Sequence, residues 1–483
     1  MSSPDDPGGN PLVRHLPAWR SQEELIRQLY FDPLEGRLSE SSSVERRMRL
    51  LGEYKAAFVP TAMAVDLAYM LQMEIHQAMD ARDPRVSDKI LELNKIALSA
   101  GEPIAKEASA FHAAGGAMLR GDTGLGKSAT LAAVSRVVCP IHLVDYGSTL
   151  ERYGIARLVH VYFLRIDLNS KGSTWTLATA ITGALDKLLG TNYTARVGRA
   201  RNHEIAIADV LRILLQHHVA VLILDELQDK TLQIANQAID VLEFFRHLMN
   251  HGVAVILSGH PKAFTLVESN TQLMRRFSMI GDYEFFRGLP TAPPSDKDPS
   301  SEWDQFTEAM MWFRVVDAVE DESTVRANLS ELSGGSNGIF TVLWIEAQRI
   351  ALSRKSSPSA VTVKDAQKAA TTPRGKVAKK LGTAFRLGGL EASKYDDITP
   401  DPRITGVKAG HQVQDPVIPQ GKETPDSVKA MIAASERDKK SKEKKAKAKV
   451  AAATLDADDL RRILKDDTDA DLVGLAPQGA LKF

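Results

Sequence analysis

The residues best suited to bind a phosphate chain lie together between Gly121 and Ala129. The run Gly-Asp-Thr-Gly-Leu-Gly-Lys-Ser fits the pattern G-x-x-x-x-G-K-[ST], in which glycines let consecutive backbone N–H groups point at phosphate oxygens. Lys127 is placed to reach the outer phosphates, and Ser128 to ligate Mg²⁺. The predicted nucleotide-binding residues are Gly121, Asp122, Thr123, Gly124, Leu125, Gly126, Lys127, Ser128 and Ala129.

Two neighbouring carboxylates, Asp225 and Glu226, follow an apolar run that begins at Val219. In P-loop enzymes a strand-end carboxylate holds Mg²⁺, and a second one can orient and deprotonate the attacking water. We therefore expect Asp225 to serve the metal and Glu226 to act as general base. The alternative is a pair of solvated loop acids.

Three further residues are candidates for contacts to the outermost phosphate. Ser258 ends another apolar run and would reach the γ-phosphate or the attacking water if its strand lies between the P-loop strand and the Asp225 strand; otherwise it belongs to a Ser-Gly turn. His260 is typical of a loop histidine. Arg275 and Arg276 could reach the nucleotide of a neighbouring subunit, as arginine fingers do, or form surface salt bridges.

The elements that would position these side chains alternate between strand and helix, which is typical of a parallel α/β sheet. The glycine-rich run lies between a short apolar strand and a helix, and the Asp225 run is apolar enough to be buried on both faces. Five strands are predicted, at 116–120, 158–167, 219–226, 253–258 and 279–284.

Composition changes along the chain divide it into six segments. Helical periodicity and Pro/Ser-rich stretches set the boundaries, and the last segment is polar with a lysine run. The predicted segments are a flexible N-terminus (1–20), a helical N-terminal region (21–110), a P-loop ATPase core (111–289), a linker (290–302), a helical lid (303–394) and a disordered tail (395–483).

Overall composition excludes several classes of protein. Lys plus Arg and Asp plus Glu are equal at 61 each, so any contact to nucleic acid must come from local patches. The single cysteine, Cys139, excludes an internal disulfide framework and fits a reducing cytosol, where we expect it as a small buried side chain. We expect no signal peptide and no membrane span. The candidate DNA contacts are Lys171, Arg196, Arg199 and Arg201; the alternative is an ordinary solvated loop.

Several stretches outside the P-loop resemble one family. They are Asp186-Lys-Leu-Leu-Gly-Thr-Asn-Tyr193, Asp225-Glu-Leu-Gln228, Arg275-Arg-Phe277 and Leu332-Ser-Gly-Gly-Ser-Asn-Gly-Ile339. In their order along the chain they resemble an AAA+ ATPase, and more narrowly the TnsC/TniB group of transposition regulators, over roughly residues 43–400. The chain departs from the family pattern at Ser258-Gly259, where the family often has Gly-Thr.

The resemblance implies an ATP-dependent switch. TnsC-like proteins bind ATP and Mg²⁺, assemble as rings or filaments on duplex DNA, and connect a TnsD/TniQ-like target selector to a TnsA/TnsB-like transposase. Hydrolysis resets the assembly. The resemblance assigns nucleotide and metal to Lys127 and Ser128, metal to Asp225, water to Glu226, and action across subunits to Arg275 or Arg276. It further implies that the tail recruits the transposase and that the protein works in the bacterial cytoplasm.

Three other functions remain open. A nucleotide-gated adaptor would bind ATP with little hydrolysis, which the intact Asp225-Glu226 pair argues against. A STAND-type signalling ATPase would normally carry a sensor domain after the ATPase, and the sequence beyond 400 is polar and poor in aromatics. A helicase loader of the DnaC/IstB type would be favoured by a neighbouring replication gene.

Overall fold

The computed structural model describes residues 9–39, 41–99, 113–168, 174–227, 235–288, 302–354 and 359–392, together with 394, 395 and 398. Lys171, the linker residues 290–301 and the tail beyond 398 lie outside the described residues. All the elements below belong to the compact unit Met1–Gly406.

A five-stranded parallel sheet forms the centre of the structure, as predicted. Its strands are β1 (Gly116–Gly121), β4 (Phe163–Asp167), β5 (Val221–Leu227), β6 (Ala254–Gly259) and β7 (Gly281–Phe285). They lie in the order β4-β5-β6-β1-β7, with every neighbouring pair parallel. The α/β fold class is therefore confirmed. Because the P-loop strand β1 is separated from the acidic strand β5 by β6 alone, their carboxyl ends open on one edge of the sheet.

The helices that flank the sheet cover both of its faces. N-terminal to it are α1 (Gln22–Leu29), α2 (Val44–Leu50), α3 (Ala62–Ala81) and α4 (Ser87–Leu98). Between its strands are α5 (Lys127–Val138), α6 (Thr174–Leu189), α7 (Tyr193–Val197), α8 (His203–Gln216), α9 (Ala235–Asn250), α10 (Thr265–Glu268) and α11 (Thr271–Phe277). One core packs α3 and α5 on the first face, and a second packs α6, α8, α9 and α11 on the other. Cys139 is buried at the end of α5, and burial raises the pKa of its thiol to about 12.

A helical lid follows the sheet. It contains α12 (Glu302–Trp312), α13 (Glu322–Ser333), α14 (Asn337–Ser353), α15 (Val363–Ala369), α16 (Pro373–Leu387) and α17 (Gly389–Ala392), with the short parallel pair β8 (Ala318–Val319) and β9 (Ala360–Val361). These elements surround Trp344, which is fully buried. Residues from the N-terminal region belong to the same core: the Tyr54 hydroxyl accepts from Gln348 Nε2 at 2.9 Å, and Arg47 pairs with Asp317.

The second predicted strand, 158–167, is two strands rather than one. Residues Val159–Val161 (β3) pair antiparallel with Leu143–Asp145 (β2), and only Phe163–Asp167 joins the central sheet. The chain changes direction at Tyr162, whose hydroxyl donates to the carbonyl of Leu12. The apolar run is continuous across this point, so the sequence pattern gives no sign of the break.

The prediction that residues 1–20 are flexible is wrong for Asn10–Leu16. Pro11–Val13 form a 3-10 helix that Asn10 caps, and Leu12 is fully buried. Tyr146 donates a hydrogen bond to Pro11 O at 3.0 Å, and Asn10 Nδ2 donates to Met79 O at 3.0 Å. Three apolar side chains among the prolines and glycines are sufficient to anchor this segment to α3 and the first core.

Candidate functional site

The glycine-rich loop adopts the conformation that a phosphate cradle requires. Gly124 and Gly126 have φ values of +83° and +100°, in the left-handed region that favours glycine. Helix α5 begins immediately after Gly126, with no side chain capping its first turn. Its first N–H groups and its positive dipole end are therefore available to an anion. Ser128 and Ala129 are exposed in this first turn and line the cavity described below.

Lys127 is turned back onto the loop. Its Nζ donates to the carbonyl oxygens of Gly121 at 2.7 Å and Asp122 at 2.9 Å. Burial lowers the pKa of Lys127, while the nearby carboxylates of Asp225 and Asp122 oppose that shift. The ammonium group therefore lies between the loop and the acidic strand, where an outer phosphate could replace the carbonyl contacts.

The two predicted acids occupy distinct environments. Asp225 is buried, with one carboxylate oxygen 2.7 Å from an Arg165 guanidinium nitrogen and the other accepting the Glu226 N–H at 2.9 Å. Glu226 is exposed and has φ +61° at an irregularity in the pairing of β5 with β6. A left-handed backbone is uncommon for glutamate and marks functional sites often enough to be informative. Both acids line the cavity.

One cavity of about 1300 Å³ joins these elements. The P-loop and the acidic pair line one part, and apolar side chains from three parts of the chain line another. The apolar part contains Tyr54, Phe58, Val59 and Met63 from the N-terminal region, Phe285 and Phe286 at the end of β7, and Trp303, Phe306 and Met310 from the lid. A polar, cationic end beside an aromatic end suits a phosphate chain attached to a flat base.

The lid contacts the P-loop directly. Gly338 N–H and the Ser336 hydroxyl donate to the carbonyl of Gly124 at 2.9 Å and 3.1 Å. A Cβ at Gly335 would lie 1.9 Å from the carbonyl of Gly288, so only glycine fits that crossing. The start of α14 is therefore held against the loop that would bind phosphate.

Asp122 and Ser258 do not line the cavity. The Asp122 carboxylate is buried, pairs with Arg287 and lies 3.5 Å from His260 Nε2. Ser258 is on the strand that the sequence argument required, between β1 and β5, but it is fully buried and its Oγ bonds to no other described atom. His260, which the sequence argument treated as a loop histidine, and Lys262 do line the cavity.

Arg275 and Arg276 lie on α11, and neither is among the described residues that line the cavity of their own chain. Arg275 is exposed and Arg276 is half-buried. Burial, followed by the charges of Arg246 and Arg275, lowers the pKa of Arg276. Arg246 itself pairs with Glu243, with 3.3 Å between Nη2 and Oε1.

The candidate DNA contacts are partly placed. Arg199 and Arg201 are exposed between α7 and α8, and Arg196 is exposed and lies 3.7 Å from Asp209. Lys171 is outside the described residues. Arg196 lies on α7 itself, and Arg199 and Arg201 lie in the segment that connects α7 to α8.

The residues present fit a magnesium ion held jointly with a nucleotide. Among the described residues no three His, Cys, Asp or Glu side chains form a metal-binding group. A cation would depend on the Ser128 hydroxyl, on Asp225 and on phosphate oxygens. An all-oxygen set with few protein ligands is the kind that Mg²⁺ takes with substrate phosphates.

Sequence reasoning did not find Arg165 or Arg287. Arg165 is the only charged side chain within the apolar run 158–166, which is a signal that could have been used. Arg287 follows β7 directly, but its partners are 165 and 98 positions away, so nothing local indicates its role.

Comparison with known protein families identifies an AAA domain in the central part of the chain. Residues 111–267 match the family model described as AAA domain. No curated protein matches the chain. No helix in the described part of the chain is long and apolar enough to cross a membrane.

Solved structures with some likeness include Cdc6p from Pyrobaculum aerophilum, with 14% identity and a TM-score of 0.36 over 59% of this chain and 66% of that chain. The Aeropyrum pernix ORC1 protein in complex with DNA has 17% identity and a TM-score of 0.34, over 59% and 64%. Domain III of the Thermotoga maritima replication initiation protein DnaA has 12% identity and a TM-score of 0.32, over 58% and 88%. The chain thus spans about two thirds of the first two. Likenesses of this size say nothing about function.

Proposed function

We propose that this chain is an ATP-hydrolysing AAA+ regulator of DNA transposition, of the TnsC/TniB type. It assembles on duplex DNA when ATP is bound and links a TnsD/TniQ-like target selector to a TnsA/TnsB-like transposase. The observation that carries the proposal is the division of the catalytic groups: the P-loop and the acidic pair line one cavity, while Arg275 and Arg276 lie outside it.

ATP with Mg²⁺ is the cofactor that this site supports best. Lys127 binds the outer phosphates, Ser128 and Asp225 hold the metal, and Glu226 accepts a proton from the attacking water. The bound metal supplies neutralisation of charge on the phosphates. Support comes from the left-handed glycines, from the exposed Glu226 beside the buried Asp225, and from the AAA domain match over residues 111–267.

Arg275 and Arg276 lie outside the cavity of their own chain, so their proposed role requires a second copy of the chain. In the proposed assembly, Arg275 or Arg276 of one subunit reaches the nucleotide of the next and stabilises charge in the transition state. ATP is then shared at each subunit contact, so that the nucleotide state and the assembly are coupled. The closeness of the Arg275 and Arg276 charges supports an anionic partner at that place.

We propose that the chain assembles on duplex DNA and contacts it through local patches of positive charge. The chain has no net charge, so binding depends on patches such as exposed Arg196, Arg199 and Arg201 together with Lys171. The sequence resemblance to transposition regulators is what selects DNA over other polyanions. The resemblance likewise selects residues 395–483 as the segment that recruits the transposase.

The test compares the full chain with a chain lacking residues 401–483. Both should hydrolyse ATP and bind a fluorescent duplex more tightly with a non-hydrolysable ATP analogue than with ADP. Only the full chain should retain a TnsB-like transposase on that duplex. A full chain whose duplex binding ignores the nucleotide would reject the proposed function. A truncated chain without ATPase activity would show that the boundary of the folded unit is misplaced.

A further inference from the structure

The buried carboxylate of Asp225 has a charged partner that the catalytic scheme does not use. Arg165 lies on β4, the edge strand, next to β5 in the sheet. Its Nη2 is 2.7 Å from Asp225 Oδ2. The Asp225 side chain is 1% exposed and that of Arg165 is 35% exposed, so the pair extends from the interior to the surface beside the cavity.

A carboxylate buried this deeply needs compensation for its lost hydration. Lys127 lies close enough to influence Asp225, but its Nζ bonds to the carbonyl oxygens of Gly121 and Asp122. Arg165 therefore supplies the direct counter-charge. The Arg165 guanidinium and a divalent cation would compete for the same carboxylate oxygens of Asp225.

A second acid lies within reach of the same guanidinium. Asp167 is two residues further along β4, on the same side of the strand, and is directly opposite Asp225 in the register. Its Oδ1 is 3.7 Å from Arg165 Nε, and its side chain is 57% exposed. Arg165 is thus placed between a buried carboxylate and an exposed one.

We propose that Arg165 is the counter-ion of Asp225 in the nucleotide-free site and passes to Asp167 when a nucleotide binds with its Mg²⁺. The inference rests on the proposed ATP site but is independent of DNA and transposition. Arg165 is a positioning residue: while it pairs with Asp225, the other oxygen of that carboxylate accepts the Glu226 N–H. Its transfer leaves Asp225 free to serve the metal.

The test measures how nucleotide binding depends on Mg²⁺, without using turnover. Binding of a fluorescent ATP analogue is titrated with Mg²⁺ in the wild type, Arg165→Met, Arg165→Lys and Asp167→Asn. Arg157→Met, which breaks the surface pair of Arg157 with Asp145, is the matched control. Thermal unfolding is recorded with and without Mg²⁺ and the analogue.

The two key variants should shift in opposite directions. Arg165→Met removes the competitor, so its Mg²⁺ midpoint should fall by about fivefold or more, the lower end of ordinary coupling between two ligands. Its unfolding temperature should fall without ligand and recover with Mg²⁺ and the analogue. Asp167→Asn removes the receiving carboxylate, so its midpoint should rise. Arg165→Lys and Arg157→Met should stay near the wild type.

Simple structural damage would raise the midpoint in every variant that it affects. An unchanged or higher midpoint for Arg165→Met overturns the inference, and so does an unchanged or lower one for Asp167→Asn. The latter variant alters an exposed side chain and tests the idea even if Arg165→Met fails to fold. A wild-type chain that binds no nucleotide at any Mg²⁺ concentration would overturn the proposed ATP site and this inference together. Normal wild-type binding with unmoved variants would overturn the inference alone.

Discussion

Arg287 and Asp122 form a buried ion pair that joins the P-loop to the lid. The guanidinium of Arg287 donates to the Asp122 carboxylate and, through its other terminal nitrogen, to the carbonyl of Phe385 on α16 at 3.2 Å. It also lies over the Phe385 ring, 4.4 Å from its centroid. Asp122 is the second residue of the glycine-rich run. The Arg287 side chain therefore links this loop to the lid, so that a movement of one is expected to displace the other.

Replacement of Arg287 by methionine should therefore loosen the lid and weaken nucleotide binding. Removal of one member of a buried pair leaves a buried charge uncompensated and costs about 3 kcal/mol or more. Denaturant unfolding and binding of a fluorescent ATP analogue measure the two effects. Arg287→Met combined with Asp122→Asn should recover much of the stability, because no unpaired charge remains. Arg386→Met, which breaks the exposed pair with Glu331 on the lid, is the control and should change little. If Arg287→Met unfolds and binds the ATP analogue like the wild type, the pair does not hold the lid.

Glu226→Gln should retain nucleotide binding and lose turnover. The amide cannot accept the proton of the attacking water, so hydrolysis should fall by about 10²–10⁴-fold. Steady-state ATPase rates and binding of the ATP analogue, measured on the same preparation, separate the two effects. Unchanged turnover would instead favour the adaptor with little hydrolysis. Glu23→Gln, which alters an exposed glutamate on α1, is a suitable control.

Arg275 and Arg276 are expected to act on the neighbouring subunit's nucleotide. Their replacement by alanine should reduce hydrolysis by about 10³–10⁵-fold while each subunit still binds ATP. Mixing provides the sharper readout. A Lys127→Ala subunit has no working nucleotide site but intact arginines, so mixing it with the arginine variant should restore some ATPase activity. If the two variants co-assemble and the mixture still has no ATPase activity, action across subunits is contradicted.

Acid should destabilise the fold through a group of buried histidines. Burial, with Arg82 and His217 nearby, lowers the pKa of His218 from 6.5 to about 3, and burial also lowers the pKa of His160. Above pH 6.5 these histidines are neutral in both the folded and the unfolded chain. Between pH 6.5 and 3 the unfolded chain takes up protons that the folded chain does not bind. The free energy of unfolding therefore decreases as the pH is lowered, by about 1.4 kcal/mol per pH unit for each such proton.

Unfolding of His218→Asn as a function of pH checks this account. Asparagine tolerates the φ of +51° at this position and does not titrate, so the loss of stability between pH 6.5 and 5 should be shallower than in the wild type. His203→Asn, which alters an exposed histidine at the start of α8, should keep the wild-type slope. An identical slope for His218→Asn and the wild type would remove His218 from the explanation.

Local patterns were sufficient to predict the glycine-rich loop before α5, the acidic pair at the end of β5 and a sheet of five parallel strands, although not the break within the second. Each is indicated by a short run of neighbouring residues, such as the glycines before Lys127 or the apolar residues before Asp225. The same holds for the first helix, where Ser21 and Glu24 cap each other as their spacing predicts.

The features that sequence reasoning did not find depend on contacts between distant parts of the chain. The second strand is interrupted at Tyr162, whose hydroxyl bonds to Leu12, 150 positions away. Asp122 turns out to be a partner of Arg287 and not a wall of the cavity, and Ser258 is one residue too deep in β6 to reach it. No periodicity records such pairs. An isolated charge in an apolar strand, as at Arg165, is the kind of local exception that does point to them.

The most direct test of the central claim is electron microscopy of the purified chain with duplex DNA, comparing a non-hydrolysable ATP analogue with ADP. Rings or filaments should form on DNA with the analogue, disappear with ADP, and fail to form for Lys127→Ala in either state. The exposed Lys187→Ala variant should assemble like the wild type. Particles that ignore both DNA and nucleotide in the wild type, or normal assembly of Lys127→Ala, would contradict an ATP-switched assembly built on this site.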